Sequence, residues 1–124
     1  MHQKEVVMNM KVVIGMFFLV FFSCFANADF PVKHYYEFKK VDKFEDYLIG
    51  LGRGIFWTNT VLEVSKQKRI FCMPGGLALD QGIILSVIDQ EVRNPTGRDS
   101  WKPDTTIELI AVLAFKNKFP CSGT

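Results

Sequence analysis

The sequence has few of the residues on which catalytic and metal sites depend. Its 124 residues include 2 histidines and 3 cysteines, and His34 is the only histidine beyond the first residues of the chain. The sequence shows no Ser-His-Asp or Cys-His set around His34, and no second soft metal ligand lies near it in sequence. We therefore expect a protein that is not an enzyme and that holds no metal or cofactor, with His34 at the surface.

The sequence also lacks a strong charge bias and a long apolar run. Its formal net charge is only +2, which argues against nucleic acid or an anionic membrane as the main partner. The apolar run at residues 12–22 is shorter than the roughly 20 residues that a membrane-spanning helix needs. We expect no nucleic-acid partner and no stable membrane span.

The same apolar run indicates export. It follows Lys11 and precedes Ala26-Asn27-Ala28, a small-x-small pattern that is typical of a cleaved Sec signal peptide. Residues 1–28 are thus predicted to be a signal peptide, and residues 29–124 a single domain. Phe21-Phe22-Ser23-Cys24 gives an alternative, since it loosely resembles a lipoprotein site at which Cys24 is lipidated. Either route removes this segment from the fold.

Cleavage after Ala28 would leave two cysteines, Cys72 and Cys121. An even number of cysteines in an oxidising compartment indicates a structural disulfide. A closed loop of about 50 residues is worth roughly 4 kcal/mol in the chain-entropy model, against about 5 to 15 kcal/mol for a whole domain. A catalytic or metal-binding thiol is the competing interpretation.

Hydrophobic periodicity predicts three main helices. Apolar residues step by three and four from Val41 to Ile55, which predicts an amphipathic helix from Asp42 to about Lys66. A second helix is predicted from Leu79 or Asp80 to Val92, and a third from Pro103 or Asp104 to about Lys118. The fold is thus expected to be all-α, a small helical domain of about three to five helices with one intrachain disulfide. The last two helices should form a hairpin clasped by that disulfide.

Three glycines interrupt the first predicted helix. Gly50, Gly52 and Gly54 should each cost up to about 1 kcal/mol relative to alanine inside a helix. Either the backbone kinks at these residues, or small residues let another helix approach closely, across a dimer interface for example. Gly50 and Gly54 are the candidates for close helix packing or a dimer contact.

The loop at residues 93–103 is the most polar part of the hairpin. Loops of this length tend to be functional or mobile. Trp101 has two interpretations, a lid folded back on the core or an aromatic anchor in a partner interface. The candidate partner-binding residues are Arg98, Asp99, Ser100, Trp101 and Lys102.

Several short motifs resemble those of one known family. They are Tyr47-Leu48-Ile49-Gly50, Phe71-Cys72-Met73-Pro74, Gln81, Asn94-Pro95, and Ala114 with Phe119-Pro120-Cys121. In their order and spacing they resemble the Rap/Tai family of periplasmic immunity proteins, which protect Gram-negative bacteria from cell-wall amidases delivered by type VI secretion. The resemblance implies an all-helical periplasmic protein with a Cys72–Cys121 disulfide, a homodimer, and no enzymatic activity.

Two functions of different classes follow. The first is an immunity protein that binds a secreted peptidoglycan amidase and occludes its active-site cleft through the loop at residues 93–103. This loop departs from the family pattern in its insertion-like stretch Gly97-Arg98-Asp99-Ser100-Trp101. The alternative is a small periplasmic stress chaperone or envelope-interaction protein, which should expose apolar surface and change oligomeric state at low pH.

Overall fold

The structure, a computed structural model, describes residues 29–123 and is all-α over that range. A 3₁₀ turn at Val32–His34 leads into four α-helices, and these residues form no strand. The helices are α1 (Tyr35–Phe38), α2 (Asp42–Val64), α3 (Gln81–Arg93) and α4 (Ile107–Lys118). The all-α prediction is confirmed.

The predicted signal peptide, residues 1–28, lies outside the described residues. Its cleavage after Ala28 and the alternative lipidation at Cys24 therefore stay predictions. Within the described range, no helix is long and apolar enough to cross a membrane.

The helix predicted from Val41 onwards is α2. Phe44, Leu48 and Ile55 of the predicted stripe are buried, as a helical period requires. The helix ends at Val64, slightly before the expected Lys66, because the backbone at Lys66 turns into the left-handed region with φ 56°. The basic residues Lys66, Lys68 and Arg69 thus lie just beyond the helix.

Helix α3 begins within two residues of its predicted start, whereas α4 begins later in the chain than predicted. The carboxylate of Asp80 caps α3 by accepting from the Ile83 backbone N–H at 2.7 Å. The predicted start of α4 at Pro103 or Asp104 is wrong, because Thr106 caps that helix. The residues before Thr106 pair instead with the N-terminal arm, which we define as residues 29–40.

This pairing is a short antiparallel contact between the arm and the start of α4. Pro31 and Thr106 form an isolated β-bridge. The Val32 N–H donates to the carbonyl of Thr105 at 2.8 Å, and the Ile107 N–H donates to the carbonyl of Phe30 at 2.8 Å. These hydrogen bonds satisfy the Thr105 carbonyl and the Ile107 N–H, which a helix starting at Pro103 would have satisfied internally.

The core lies between α2, α3 and α4 and is rich in aromatic rings. At its N-terminal side, Phe30 packs against Phe38, Phe44 and Tyr47 with ring centroids 4.9–5.9 Å apart. Edge-to-face and tilted pairs at such distances add to the gain from burial. The fully buried large side chains are Tyr35, Phe71, Phe115, Leu48, Ile84, Ile88, Ile107 and Ile110.

The pair α3 and α4 departs from the expected simple hairpin. Glu91 near the end of α3 and Asn117 near the end of α4 lie in hydrogen-bond contact at 3.4 Å. The C-terminal ends of the two helices therefore meet, and the connecting segment has to run back to reach Ile107. The α3–α4 loop, residues 94–106, thus covers the side of the domain between the helices and the N-terminal arm.

The three glycines of α2 have different surroundings. The helix continues through all of them, and a Cβ on Gly52 would overlap Cγ2 of Ile84 in α3. Gly52 is therefore where α2 and α3 approach closely. A Cβ on Gly50 or Gly54 would meet nothing within 4 Å, so these two face away from the rest of the chain.

Candidate partner-binding site

A disulfide clasp fixes one border of the site. Cys72 and Cys121 are bonded, with their Cα atoms 4.9 Å apart, as the cysteine count predicted. The Cys72 N–H also donates to the carbonyl of Phe119 at 2.8 Å. We use the name clasp for this disulfide together with Phe71, Phe115 and Phe119, whose ring centroids lie 5.2–6.5 Å apart.

Asn59 ties the clasp to α2. Its buried side chain accepts from the N–H of Ile70 at 2.7 Å and of Phe71 at 3.2 Å, and donates to the carbonyl of Phe71 at 3.0 Å. Sequence reasoning missed this residue, although its position is a signal. It continues the buried α2 stripe through Gly52 and Ile55, where a polar residue has to find buried partners.

Glu91 fixes the base of the α3–α4 loop. Only 5% of this residue is exposed, and its carboxylate accepts from the backbone N–H and the hydroxyl of Thr96 at 2.9 and 2.8 Å. The Trp101 indole N–H donates to the Glu91 carbonyl at 2.9 Å. The buried carboxylate holds Thr96 firmly, and the backbone carbonyl of the same residue holds Trp101, so the residues on both sides of the loop tip are tied to the end of α3.

The tip of the loop points into solvent. Arg98, Asp99, Ser100 and Lys102 are exposed, whereas Trp101 is half-buried and packs against the core. The Arg98 guanidinium lies over the Trp101 ring, 4.1 Å from its centroid, a distance at which the cation is attracted to the ring face. The loop therefore combines a fixed base with exposed polar side chains, and Trp101 folds back while still supporting Arg98.

A shallow cleft separates the loop from the N-terminal arm. It has a volume of about 280 Å³ and is lined by Val32, Tyr36, Asp99 and Trp101 among others. Tyr36 is 54% exposed at its border. The cleft is a concave surface with an aromatic wall on each side and charged groups at its rim.

Ion pairs hold the arm in this position. The Lys33 ammonium lies 2.7 Å from the Asp104 carboxylate, and its hydrogen bond and charge lower the pKa of Asp104. Because both side chains are exposed, this pair adds little to stability. Its effect is to align the arm with the end of the loop.

Asp89 of α3 makes the stronger connection to the arm. It accepts hydrogen bonds from the Tyr35 hydroxyl at 3.1 Å and the Lys39 ammonium at 2.6 Å, and it pairs with Arg93. Burial raises the pKa of Asp89, but its bonds to Lys39 and Tyr35 and the charge of Arg93 outweigh burial and hold that pKa below its ordinary value. Burial, with the adjacent charge of Asp89, raises the pKa of Tyr35, so its phenol stays protonated.

His34 lies on the N-terminal arm, where its partner is Glu37. Its Nδ1 is 3.1 Å from the Glu37 carboxylate, and both side chains are largely exposed. Among residues 29–123 no cluster of three or more histidine, cysteine, aspartate or glutamate side chains could hold a metal ion.

A second exposed feature lies on the outer face of α2. Five residues spaced by four, three, four and three positions share one face of this helix. They are Gly50, Gly54, Trp57, Val61 and Val64. Trp57, Val61 and Val64 are 63%, 62% and 78% exposed. We call this set the outer stripe. Sequence reasoning noticed its glycines but missed that the large apolar residues continue them.

Comparisons with known proteins give no match to this chain among protein-family models, curated proteins or solved structures.

Proposed function

We propose that this chain is an envelope immunity protein of the Rap/Tai type, which binds a secreted peptidoglycan amidase and occludes its cleft with the loop at residues 93–103. The observation that carries the proposal is the contrast within that loop. Its base is fixed to the end of α3 by hydrogen bonds to the buried Glu91, while Arg98, Asp99 and Ser100 are exposed at its tip. A preordered loop binds a partner with a smaller loss of conformational entropy.

The positions of the motif residues support this proposal. Leu48, Phe71, Ala114 and Phe119 all belong to the buried core, and two of the motifs hold the disulfide. The stretch at residues 97–101, which departs from the family pattern, lies at the exposed end of the loop. A shared scaffold with a divergent surface is the arrangement expected of proteins that each recognise a different partner.

The chemistry of the tip suits an enzyme cleft. Arg98 stacked on Trp101 offers a planar cation with free N–H groups to carboxylate and carbonyl acceptors. Asp99 and Ser100 add exposed acceptors beside it. Aromatic and arginine side chains are enriched among the residues that dominate binding energy.

Protection of cells tests this function. Bacteria that export the chain are challenged with a panel of type VI amidases directed to their own periplasm, and survival is counted. We expect protection against at least one amidase, and its loss in the variant Arg98→Ala/Asp99→Ala/Ser100→Ala. The matched control, Glu37→Ala/Lys40→Ala on the N-terminal arm, should protect like the wild type. Failure of the wild type against every amidase, with no complex formed, would refute the proposal.

The outer stripe supports a homodimer as the form that performs this function. Its spacing is nearly symmetric about Trp57, with glycines on one side and valines on the other. If two copies pack their α2 helices antiparallel about Trp57, Gly50 of one copy faces Val64 of the other, and Gly54 faces Val61. Small residues opposite large ones let two helices approach closely.

Charge complementarity favours the same antiparallel arrangement. The first turns of α2, residues 42–46, carry three carboxylates and one lysine, whereas residues 66–69 beyond its other end carry Lys66, Lys68 and Arg69. In the antiparallel pair, each acidic end lies near a basic end of the other copy. Opposite charges aligned in this way fix orientation and register more than they raise affinity.

Mass in solution tests the dimer. Gly54→Gln places a side chain where the single chain has open space, so we expect the fold to persist while the dimer dissociates. Gly75→Gln, at another glycine with open surroundings, should keep the wild-type mass in light scattering. A monomeric wild type, or an unchanged Gly54→Gln dimer, contradicts this arrangement. A dimer whose mass is unchanged at low pH would also argue against the stress-chaperone alternative.

A further inference from the structure

The start of the described chain lies against the beginning of α4. The Ile107 N–H donates to the carbonyl of Phe30 at 2.8 Å, and Pro31 bridges to Thr106. Asp29 directly precedes Phe30, and Glu108 directly follows Ile107, so both lie at this corner, where both act electrostatically on Tyr47. The Phe30 ring, 4.9 Å from the Tyr47 ring, fixes the arm at the same corner.

Glu108 has an unsatisfied oxygen at this corner. Its Oε1 accepts a hydrogen bond from the Tyr47 hydroxyl. Its Oε2 is buried and has no hydrogen-bond partner, and it is the only buried side-chain nitrogen or oxygen among residues 29–123 in that condition. A buried carboxylate oxygen without a donor destabilises the fold, so a missing donor is expected here.

The charges at the corner are also unbalanced. Burial raises the pKa of Tyr47, and the hydrogen bond and charge of Glu108 and the charge of Asp29 raise it further. The corner therefore holds two carboxylates and a phenol that stays neutral. Within the described chain no lysine, arginine or histidine forms an ion pair with Asp29 or Glu108. The missing donor should be a cation.

We propose that processing after Ala28 supplies this cation, and that the new α-ammonium group of Asp29 binds the Glu108 carboxylate. Hydrolysis of the Ala28–Asp29 peptide bond adds one water molecule. The leader leaves with a carboxylate, and Asp29 keeps an amine that is mostly protonated at pH 7, because such amines have a pKa of about 7.7 to 8.0. In the precursor the same nitrogen is a neutral amide.

Removal of the signal peptide therefore supplies the one group that this corner of the domain lacks. The ammonium group satisfies Glu108 and offsets the repulsion between the two carboxylates. It also fastens the N-terminal arm, which carries Val32 and Tyr36 of the cleft beside the α3–α4 loop. The inference rests on export of the chain, as proposed above, but it does not depend on which partner the loop binds.

Selective removal of the α-amine tests the proposal. The full chain is exported in bacteria and purified from the envelope, and its mass identifies the first residue. N-terminal transamination then converts the α-amine into a ketone and leaves the lysines unchanged. We expect a chain that starts at Asp29 and whose melting temperature falls by about 3 to 6 °C on transamination, the range for a partly exposed ion pair in a domain of this size.

Two variants decide what causes that fall. Glu108→Gln keeps an oxygen for the Tyr47 hydroxyl but removes the charge, so transamination should leave its melting temperature unchanged. Glu37→Gln, at an exposed glutamate on the arm, should show the full wild-type fall. A first residue other than Asp29, no fall in the wild type, or an equal fall in Glu108→Gln would each overturn the proposal. The mass reports on export separately from the melting temperature.

Discussion

The clasp and the α3–α4 loop lie side by side, but they are built differently. Cys121 of the clasp and Thr96 of the loop line the same cleft of about 540 Å³. The clasp is covalent and apolar, with Phe71 and Phe115 fully buried. The loop has no covalent tie. It is held by hydrogen bonds to Glu91 at its base and by hydrogen bonds and an ion pair to the N-terminal arm at its far end, and its tip is exposed.

Under the proposed function, this difference places stability in the clasp and recognition in the loop tip. A disulfide and buried rings stabilise the whole domain, because they limit the unfolded chain and remove apolar surface from water. Exposed side chains such as Arg98 and Asp99 contribute little to folding, so they are free to vary with the partner. Changes to the clasp should therefore lower stability first, and changes to the tip should lower binding alone.

Loss of the disulfide should have the largest effect. In the double variant Cys72→Ser/Cys121→Ser, we expect the free energy of unfolding to fall by roughly 4 kcal/mol, because the unfolded chain regains the entropy of a long open loop. Urea denaturation measures this change. A variant that kept the wild-type melting temperature would show that the clasp does not stabilise the domain.

Removal of the Asp89 charge should have an intermediate effect. We expect Asp89→Asn to cost about 2 kcal/mol near neutral pH, since hydrogen bonds to charged groups are worth about 1.5 to 3 kcal/mol. The folded-state pKa of Asp89 is lowered, so its contribution is present above the unfolded-state pKa of about 3.9. It is lost as pH falls below that value through the folded-state pKa.

The matched measurement is thermal unfolding of both proteins between about pH 6 and pH 2.5. The gap in stability between the wild type and Asp89→Asn should be constant above about pH 5 and should close as acid protonates the wild-type carboxylate. A gap that widened in acid would mean that the pKa of Asp89 is raised instead.

The glycines of α2 should respond to substitution with opposite signs, and the smallest expected effect is that of Gly54→Ala. Gly52→Ala forces its new methyl group into Ile84, and overpacking of this kind costs about 1 to 3 kcal/mol. Gly54→Ala meets open space and should stabilise a single chain by up to about 1 kcal/mol through helix propensity. Denaturation at concentrations that favour the monomer compares them, and equal effects would mean that α2 and α3 do not approach at Gly52.

Local patterns in the sequence were enough to predict much of this fold. The apolar period from Val41 to Ile55 predicted α2, and Asp80 together with Asn94-Pro95 gave the limits of α3 to within one or two residues. The number of cysteines predicted the disulfide. The start of α4 was missed because Pro103 is a good first residue of a helix, and the competing bridge to Pro31 is a contact between distant parts of the chain.

The polar residues that hold the site together could not be assigned from sequence. Asp89 and Glu91 resemble surface residues in a linear pattern. Asn59 continues the buried stripe of α2, but its hydrogen-bond partners, like those of the other two, lie far away in sequence or in a loop of unknown path. Asp89 and Tyr35, for example, are 54 positions apart. The loop at residues 93–103 was chosen as the candidate partner-binding site because it is polar and long, but only the structure shows that its base is fixed.

The measurement that most directly tests whether the clasp supplies stability and the loop tip supplies recognition is the affinity for an amidase identified by the proposed protection assay, taken together with the melting temperature. For Arg98→Ala/Asp99→Ala/Ser100→Ala we expect at least about tenfold weaker binding, the equivalent of about 1.4 kcal/mol, and a melting temperature within about 2 °C of the wild type. The cysteine double variant should melt at least about 15 °C lower, yet bind normally while folded. Wild-type affinity in the triple variant of the loop tip would contradict the proposal that the tip binds the amidase.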